Sequence, residues 1–211
     1  MKKMRNLLVV GAGGHGHVVA ETAQAVGSWE KIAFVDDRCA MLAGKLHWPV
    51  LSDVRSALSL QDDYADLVVA VGDAETRLAL MQQFDRGGFH MISLTHPSAW
   101  VSPTVQMGKG VVITAQAAVN GFSTLGDGVI VNTGATVDHH CQLEQGVHVC
   151  PGSHLAGEVV VKRGAWIGIG ASVVQGALIG AGATVGAGAA VIGDVEDGKT
   201  VVGVPAHVME R

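Results

Sequence analysis

Aromatic residues are nearly missing from this chain: they fill 4% of its 211 positions, with a single Tyr. Charge is also thin, with Asp, Glu, Lys and Arg together at 16%. A chain that is 48% hydrophobic does not have the composition of disorder, which pairs low hydrophobicity with high charge. Its core must instead be assembled from Val, Ile, Leu and Ala, and 29 glycines point to short elements and tight turns. Basic runs are lacking and the net charge is −5, which argues against nucleic acid as a partner. Only Cys39, Cys141 and Cys150 carry thiols, and none forms a CxxC pair. That excludes a disulfide framework and leads us to expect a reducing, cytoplasmic setting. Long apolar runs are lacking too. The opening MKKMRNLLVVGAGGHGH has a basic start, but its apolar run is only Leu7 to Val10, too short for a secretory h-region. No stretch reaches the ~18 residues of a membrane span, so membrane insertion is not expected.

What is present falls into two periods. From Asn6 to about Leu94, apolar runs alternate with helical patterns. NLLVV, KIAFVDD, ADLVVAVGD and HMISL read as strands; HVVAETAQAVG, DVRSALSL and AETRLALMQQFDRGG read as helices. Strands that alternate with helices predict a parallel sheet with right-handed crossovers.

From Val101 the chain counts in sixes. The first position of sixteen consecutive hexads, Val101 through Val191, is always aliphatic, without one insertion. The fifth position is only Val, Ala, Ser or Cys, and the fourth is Gly in ten of the sixteen. A helix cannot keep phase with such a period, so a repeat architecture is required. The physical reading is a parallel β-helix. The first residue fills the interior, the small fifth residue fits a corner, and the fourth takes a positive φ that suits glycine. Coils stacked ~4.8 Å apart share a backbone hydrogen-bond ladder.

Between the first strand and helix lies GAGGHGH, in which Gly11, Gly13 and Gly16 spell GxGxxG, with Asp36 at the end of the second strand. This satisfies the dinucleotide fingerprint. The half-domain is small and no second nucleotide-binding half follows, so NAD is the weaker reading. Glycines and helix N-terminal amides cradle any pyrophosphate, including that of a nucleotide sugar.

Hexads such as IGIGAS, IGAGAT and VGAGAA resemble those of the hexapeptide-repeat acyltransferases. With GAGGHGHVV, IAFVDD, VAVGDAETR, HPSAWVSP, NTGATVDHHC, HVCPGSHLAG and the closing GVPA, nearly the whole chain resembles the sugar O- and N-acyltransferases. This family includes bacterial nucleotide-sugar N-acetyltransferases of bacillosamine type and sialic acid O-acetyltransferases. The resemblance implies a Rossmann-like α/β domain over residues 1–96 that binds a nucleotide sugar. A left-handed parallel β-helix over residues 97–211 follows, with three hexads per coil. It further implies acetyl-CoA as co-substrate, no metal, and a homotrimer with the acyl donor between neighbouring helices. The activity so implied is N-acetylation of a UDP-4-amino-4,6-dideoxyhexose in glycan biosynthesis, with O-acetylation of a sugar or sialic acid as the alternative.

Roles follow by segment. The resemblance assigns Gly13, Gly14 and His15 to the nucleotide loop, and Asp36, Asp37, Gly72 and Glu75 to the same pocket. Asn132 is assigned to the acceptor, and His148, Ile169 and Ala187 to CoA.

The histidines of TVDHHCQLEQGVHVC divide by register. His139 holds a third, outward position, and His140 a fourth, turn position. His148 and the later His154 hold sixth positions on different faces. Zinc needs about three ligands within ~2.1 Å of one point, which adjacent His139 and His140 do not supply. A zinc lyase of carbonic anhydrase type is therefore the weaker reading, as is a non-catalytic nucleotide-sugar binder. In the family the residue matching His139 is the general base. Gly157, one 18-residue coil later, stacks on it and by the same resemblance supplies the oxyanion amide. Relatives often place an acid after the base, where this chain has His140. The group that orients His139 is left open among His140, Asp138 and Glu144.

Overall fold

The computed structural model describes residues 5–209. β1 (Arg5–Val10) and β2 (Trp29–Val35) flank α1 (Gly14–Val26) in sequence. A one-turn α2 (Cys39–Leu42) leads to β3 (Val50–Ser52) at the sheet edge, which the sequence pattern did not reveal. DVRSALSL becomes a 3₁₀ turn at Ser56–Leu60. β4 (Asp66–Val69), α3 (Ala74–Arg86) and β5 (His90–Met91) complete the unit. The sheet order is β3-β2-β1-β4-β5, with parallel pairing throughout. The central run Leu7 to Val10 is wholly buried, as a strand covered on both faces requires. α1 closes one face over Leu7, Val9 and Phe34, and α3 closes the other over Leu8, Val10 and Val35.

The hexads then coil. Each two-residue strand pairs with the strand 18 residues on, as Thr136 and Val137 do with His154 and Leu155, and the strands stack into three parallel sheets. First positions such as Val119, Val137 and Leu155 fill the interior. All ten hexad glycines at fourth positions have positive φ. Among the described residues the four non-glycine residues with positive φ (Gln116, Phe122, His140 and Glu158) also stand at fourth positions.

Both ends of the repeat differ from the simple count. HMISL splits: His90–Met91 stays in the first sheet, whereas Leu94–Thr95 pairs with Val112–Ile113 and opens the β-helix ahead of residue 97. At the far end Ile179 bridges Val195, and Thr184 pairs with Thr200, steps of 16 residues instead of 18. Val195, a fifth position by count, therefore takes a buried first-position place. The chain turns at GVPA and returns antiparallel, His207–Val208 against Val201–Val202.

The two units share packing. Val112 and Ile130, outward residues of one β-helix face, join the core around Leu7, Val9 and Phe34. α3 lies along one corner of the coil, where the third positions are Lys109, Asp127, Gln145 and Arg163. The fourth positions there are glycines, and a Cβ at Gly110 would stand 2.6 Å from Met81 Cε, at Gly146 3.0 Å from Leu78 Cδ1. Glycine thus meets two demands on this corner, the left-handed turn and the close approach of α3. Arg77 fastens the junction. Fully buried, it donates to the carbonyls of Gly128 (2.8 Å) and Gly146 (2.6 Å) on the coil, and of Val71 and Gly72 on its own side.

Candidate active site

The glycine loop is built by close packing. Gly11 sits at φ 100°, and a Cβ on Gly16 would overlap the Gly11 carbonyl, so α1 starts tight against β1. Gly13 caps α1 without any side-chain hydrogen bond, and around Gly13 and Gly14 a Cβ would meet nothing within 4 Å. The helix therefore presents bare N-terminal amides to open space, a ready anion site. Asp36 supports this loop from below. It is buried, its Oδ2 accepts from the Ala12 amide at 2.9 Å, and Arg38 grips it with two guanidinium bonds of 2.9 Å. The Arg38 hydrogen bond, with the Ala12 and Arg38 amides, holds its carboxyl well below the usual range. Asp36 is thus a brace for the loop. Asp37 is exposed and accepts from the Val54 amide at 3.1 Å.

His15 turns inward from the first turn of α1 and meets His148, ring centroids 6.0 Å apart, at the rim of the domain junction. Hydrogen bonds fix the state of His148. The Thr133 amide donates to Asn132 Oδ1 at 2.9 Å, so the Asn132 Nδ2 end faces His148 Nε2, at 3.2 Å. That nitrogen must accept, which leaves the proton of the neutral ring on Nδ1. His148 Nδ1 and His15 Nε2 are both buried without a partner among the described residues. Burial, then Arg77, pushes His15 down to about 4. Burial, then His15 and Arg77, pushes His148 down to about 3. Both rings are neutral near pH 7 and offer unpaired polar atoms to a ligand. Trp166, one coil beyond, lies 4.3 Å from the His148 ring and shields it.

His139 occupies a different corner. Its ring lies directly over Gly157: a Cβ there would stand 2.5 Å from His139 Cε1 and 2.7 Å from Nε2. Only glycine fits, and the Gly157 amide makes no hydrogen bond among the described residues. His139 Nδ1 meets His140 Nδ1 at 3.1 Å. The other two candidate orienting groups are engaged elsewhere. Asp138 Oδ1 takes the Asn120 amide and the His139 backbone N–H, each at 2.8 Å. Glu144 is paired with Lys162 at 2.9 Å and with the Arg163 amide, one corner away.

The remaining expected residues scatter. Gly72 lends its carbonyl to Arg77. Glu75 points into the groove between α3 and the coil and pairs with Arg163 at 3.0 Å, not with the glycine loop. Ile169, exposed, and Ala187 stack one coil apart on the third corner, next to the His148 face. His154 stays exposed, bonded to Thr136 at 2.9 Å on a separate sheet. Sequence reasoning missed Arg38, Arg77, Trp166 and Phe122. Phe122 alone carried a signal, as an aromatic at a turn position where ten hexads have Gly. Among the described residues no group of three His, Cys, Asp or Glu side chains converges as a metal site.

A β-helix with a histidine over a bare glycine amide at one corner, joined to a parallel α/β unit with a glycine loop at a helix N-terminus, defines a hexapeptide-repeat acyltransferase. Comparisons agree. Residues 6–84 match the family model described as the PglD N-terminal domain. The acetyltransferase domain of PglB from Neisseria gonorrhoeae, solved with acetyl coenzyme A, is 44% identical, with 97% of this chain and 99% of that chain covered and a TM-score of 0.93. GDP-perosamine N-acetyltransferase from Caulobacter crescentus, solved as a variant with CoA and GDP-perosamine, is 38% identical at a TM-score of 0.93, with 98% and 97% covered. UDP-N-acetylbacillosamine N-acetyltransferase of Bacillus subtilis is 36% identical over 114 residues, which are 53% of this chain and 52% of that protein. The match therefore spans about half the length of that curated relative. The chain belongs to the bacterial nucleotide-sugar N-acetyltransferase family.

Proposed function

We propose that this protein transfers the acetyl group of acetyl-CoA to the amino group of a nucleotide-activated amino sugar, a UDP-4-amino-4,6-dideoxyhexose by preference. The observation that carries the reading is the His139 ring lying over Gly157, whose amide is unclaimed. If His139 donates its Nδ1–H to His140 Nδ1, its Nε2 lone pair is free to act as base. The sugar amine then attacks the thioester carbonyl while His139 Nε2 takes the amine proton. The carbonyl oxygen becomes an oxyanion, met by the Gly157 N–H. Collapse breaks the carbon–sulfur bond, and the proton passes from His139 to the departing CoA thiolate. The products are an amide and a free thiol, so the balance closes without metal or redox partner.

The glycine loop with Gly13, Gly14 and His15 is the proposed seat of the nucleotide. Asn132 and His148 are proposed to line the acceptor and the CoA thioester, and Ile169 and Ala187 the pantetheine path. His139 and the Ile169 corner are separated by one whole face of the coil. A site that uses both is completed by the matching corner of a neighbouring copy, which supports a homotrimer. No described helix is long and apolar enough to cross a membrane, and all three cysteines are free, which supports a cytoplasmic enzyme.

A thiol-release assay with acetyl-CoA and a panel of UDP-, dTDP- and GDP-amino sugars, free sialic acid included, tests the reading. One amino sugar should release stoichiometric thiol, and His139→Ala should lower kcat by ~10²–10⁴ with substrate binding kept. Thiol release from sialic acid alone would replace N- by O-acetylation, and wild-type turnover in His139→Ala would remove the base assignment.

A further inference from the structure

The corner that carries His139 breaks the glycine rule most often: the α3 corner keeps glycine throughout, and the third corner breaks it only at Gln116. Successive coils place Phe122, His140 and Glu158 at the fourth positions of the His139 corner, with φ of 62°, 59° and 64°. Left-handed backbone disfavours any residue with a Cβ, and Phe has no short polar side chain to offset that. Burial does not hold Phe122 there either, since it is 64% exposed. Strain of this kind persists where something else requires the side chain. The Phe122 ring stacks on His140, with centroids 5.1 Å apart and planes at 25°. His140 in turn meets His139 edge to face, at 82°, through the Nδ1 contact of 3.1 Å. That contact is the only hydrogen bond of the His140 side chain among the described residues. One hydrogen bond leaves the imidazole free to swing about it, and the stacked ring is what removes that freedom.

We infer that Phe122 is a positioning residue for acetyl transfer. Its ring fixes the plane of His140, so that His140 Nδ1 accepts from His139 Nδ1–H and leaves His139 Nε2 aimed at the acceptor amine. The inference rests on the reading of His139 as the general base. It explains how a chain with an imidazole after the base, where relatives often carry an acid, still orients that base. A carboxylate holds a histidine by charge, whereas a neutral ring must be held by its own neighbours.

The test compares Phe122→Gly, Phe122→Asn and Phe122→Tyr in the full chain. Glycine and asparagine suit the left-handed backbone, so both variants fold, with Tm at or above that of the wild type. Their kcat should fall roughly three- to tenfold, the scale of one aromatic stack, with both KM values unchanged. Tyrosine, which keeps the ring, should restore kcat. In a His140→Ala background, Phe122→Gly should have no further effect, because the ring acts through His140. Nitrogen-15 spectra of the imidazoles add a readout independent of turnover. His139 should be protonated on Nδ1 and His140 on Nε2 in the wild type, with tautomers averaged in Phe122→Gly. Loss of wild-type turnover on every sugar would remove the acetyltransferase reading and leave the spectra to judge the positioning. Wild-type kcat in Phe122→Gly, fully multiplicative effects with His140→Ala, unchanged tautomers, or dissociation of the assembly would each overturn the inference.

Discussion

Two corners of one β-helix solve the same geometric problem in opposite ways. Every coil must turn through a left-handed residue. Beneath α3 the chain uses Gly110, Gly128, Gly146 and Gly164, and the missing side chains let Met81 and Leu78 lie against the backbone. At the His139 corner it uses Phe122, His140 and Glu158 in the same conformation. The first corner relieves strain and gains packing; the second keeps strain and exposes chemistry. Where the turn residue is free to be glycine, stability decides. Where it is not, something other than stability selects the side chain.

That contrast can be broken at the α3 corner first, where the largest effect is expected. Arg77→Ala should destabilise the protein by about 3–5 kcal/mol in denaturant titration, because four carbonyls, the buried ones of Gly128 and Gly146 among them, lose their charged donor. Arg77→Lys should recover little, since one ammonium does not span both sides of the junction. Gly146→Leu comes next, at about 2–3 kcal/mol, from positive φ combined with overpacking against Leu78. Equal tolerance of side chains at Gly146 and at position 140 would dissolve the distinction between the corners. Acid sharpens it from a third location, the rim beneath α1. His15 and His148 titrate near 6.5 when unfolded but at about 4 and about 3 when folded. Between those values the unfolded chain binds more protons, so stability falls as pH falls below 6.5. From pH 7 to 5 the loss should be about 1–2 kcal/mol for each histidine, and His148→Asn should flatten the slope by about half.

Legibility followed locality. The parallel sheet, its GxGxxG loop and every coil from Val101 to Val191 could be read as patterns, because each rests on neighbours at a fixed spacing. The stacking of Gly157 on His139 was legible for the same reason, as a step of one coil. β3 was not, because three residues carry no period. Glu75 was expected at the nucleotide pocket and lies against Arg163, since its direction depends on how α3 docks on the coil. Asp36 was expected at the ligand and braces the loop, because Arg38 and the Ala12 amide hold it. Arg77 carried no signal in the sequence, and only the docking of α3 on the coil makes it a buried clasp.

The amino-acid sequence by itself determined the solenoid, the turn positions and the register that separates His139 from His148. Those follow from side-chain size and backbone freedom repeated every six residues, which nothing distant can override. Only the tertiary structure decided which groups are spoken for. Asp138 and Glu144 proved engaged, His140 proved to be the group on the His139 ring, and His15 came to face His148. Hydrogen bonds and stacking between distant segments are satisfied one partner at a time, and no periodicity records which partner wins.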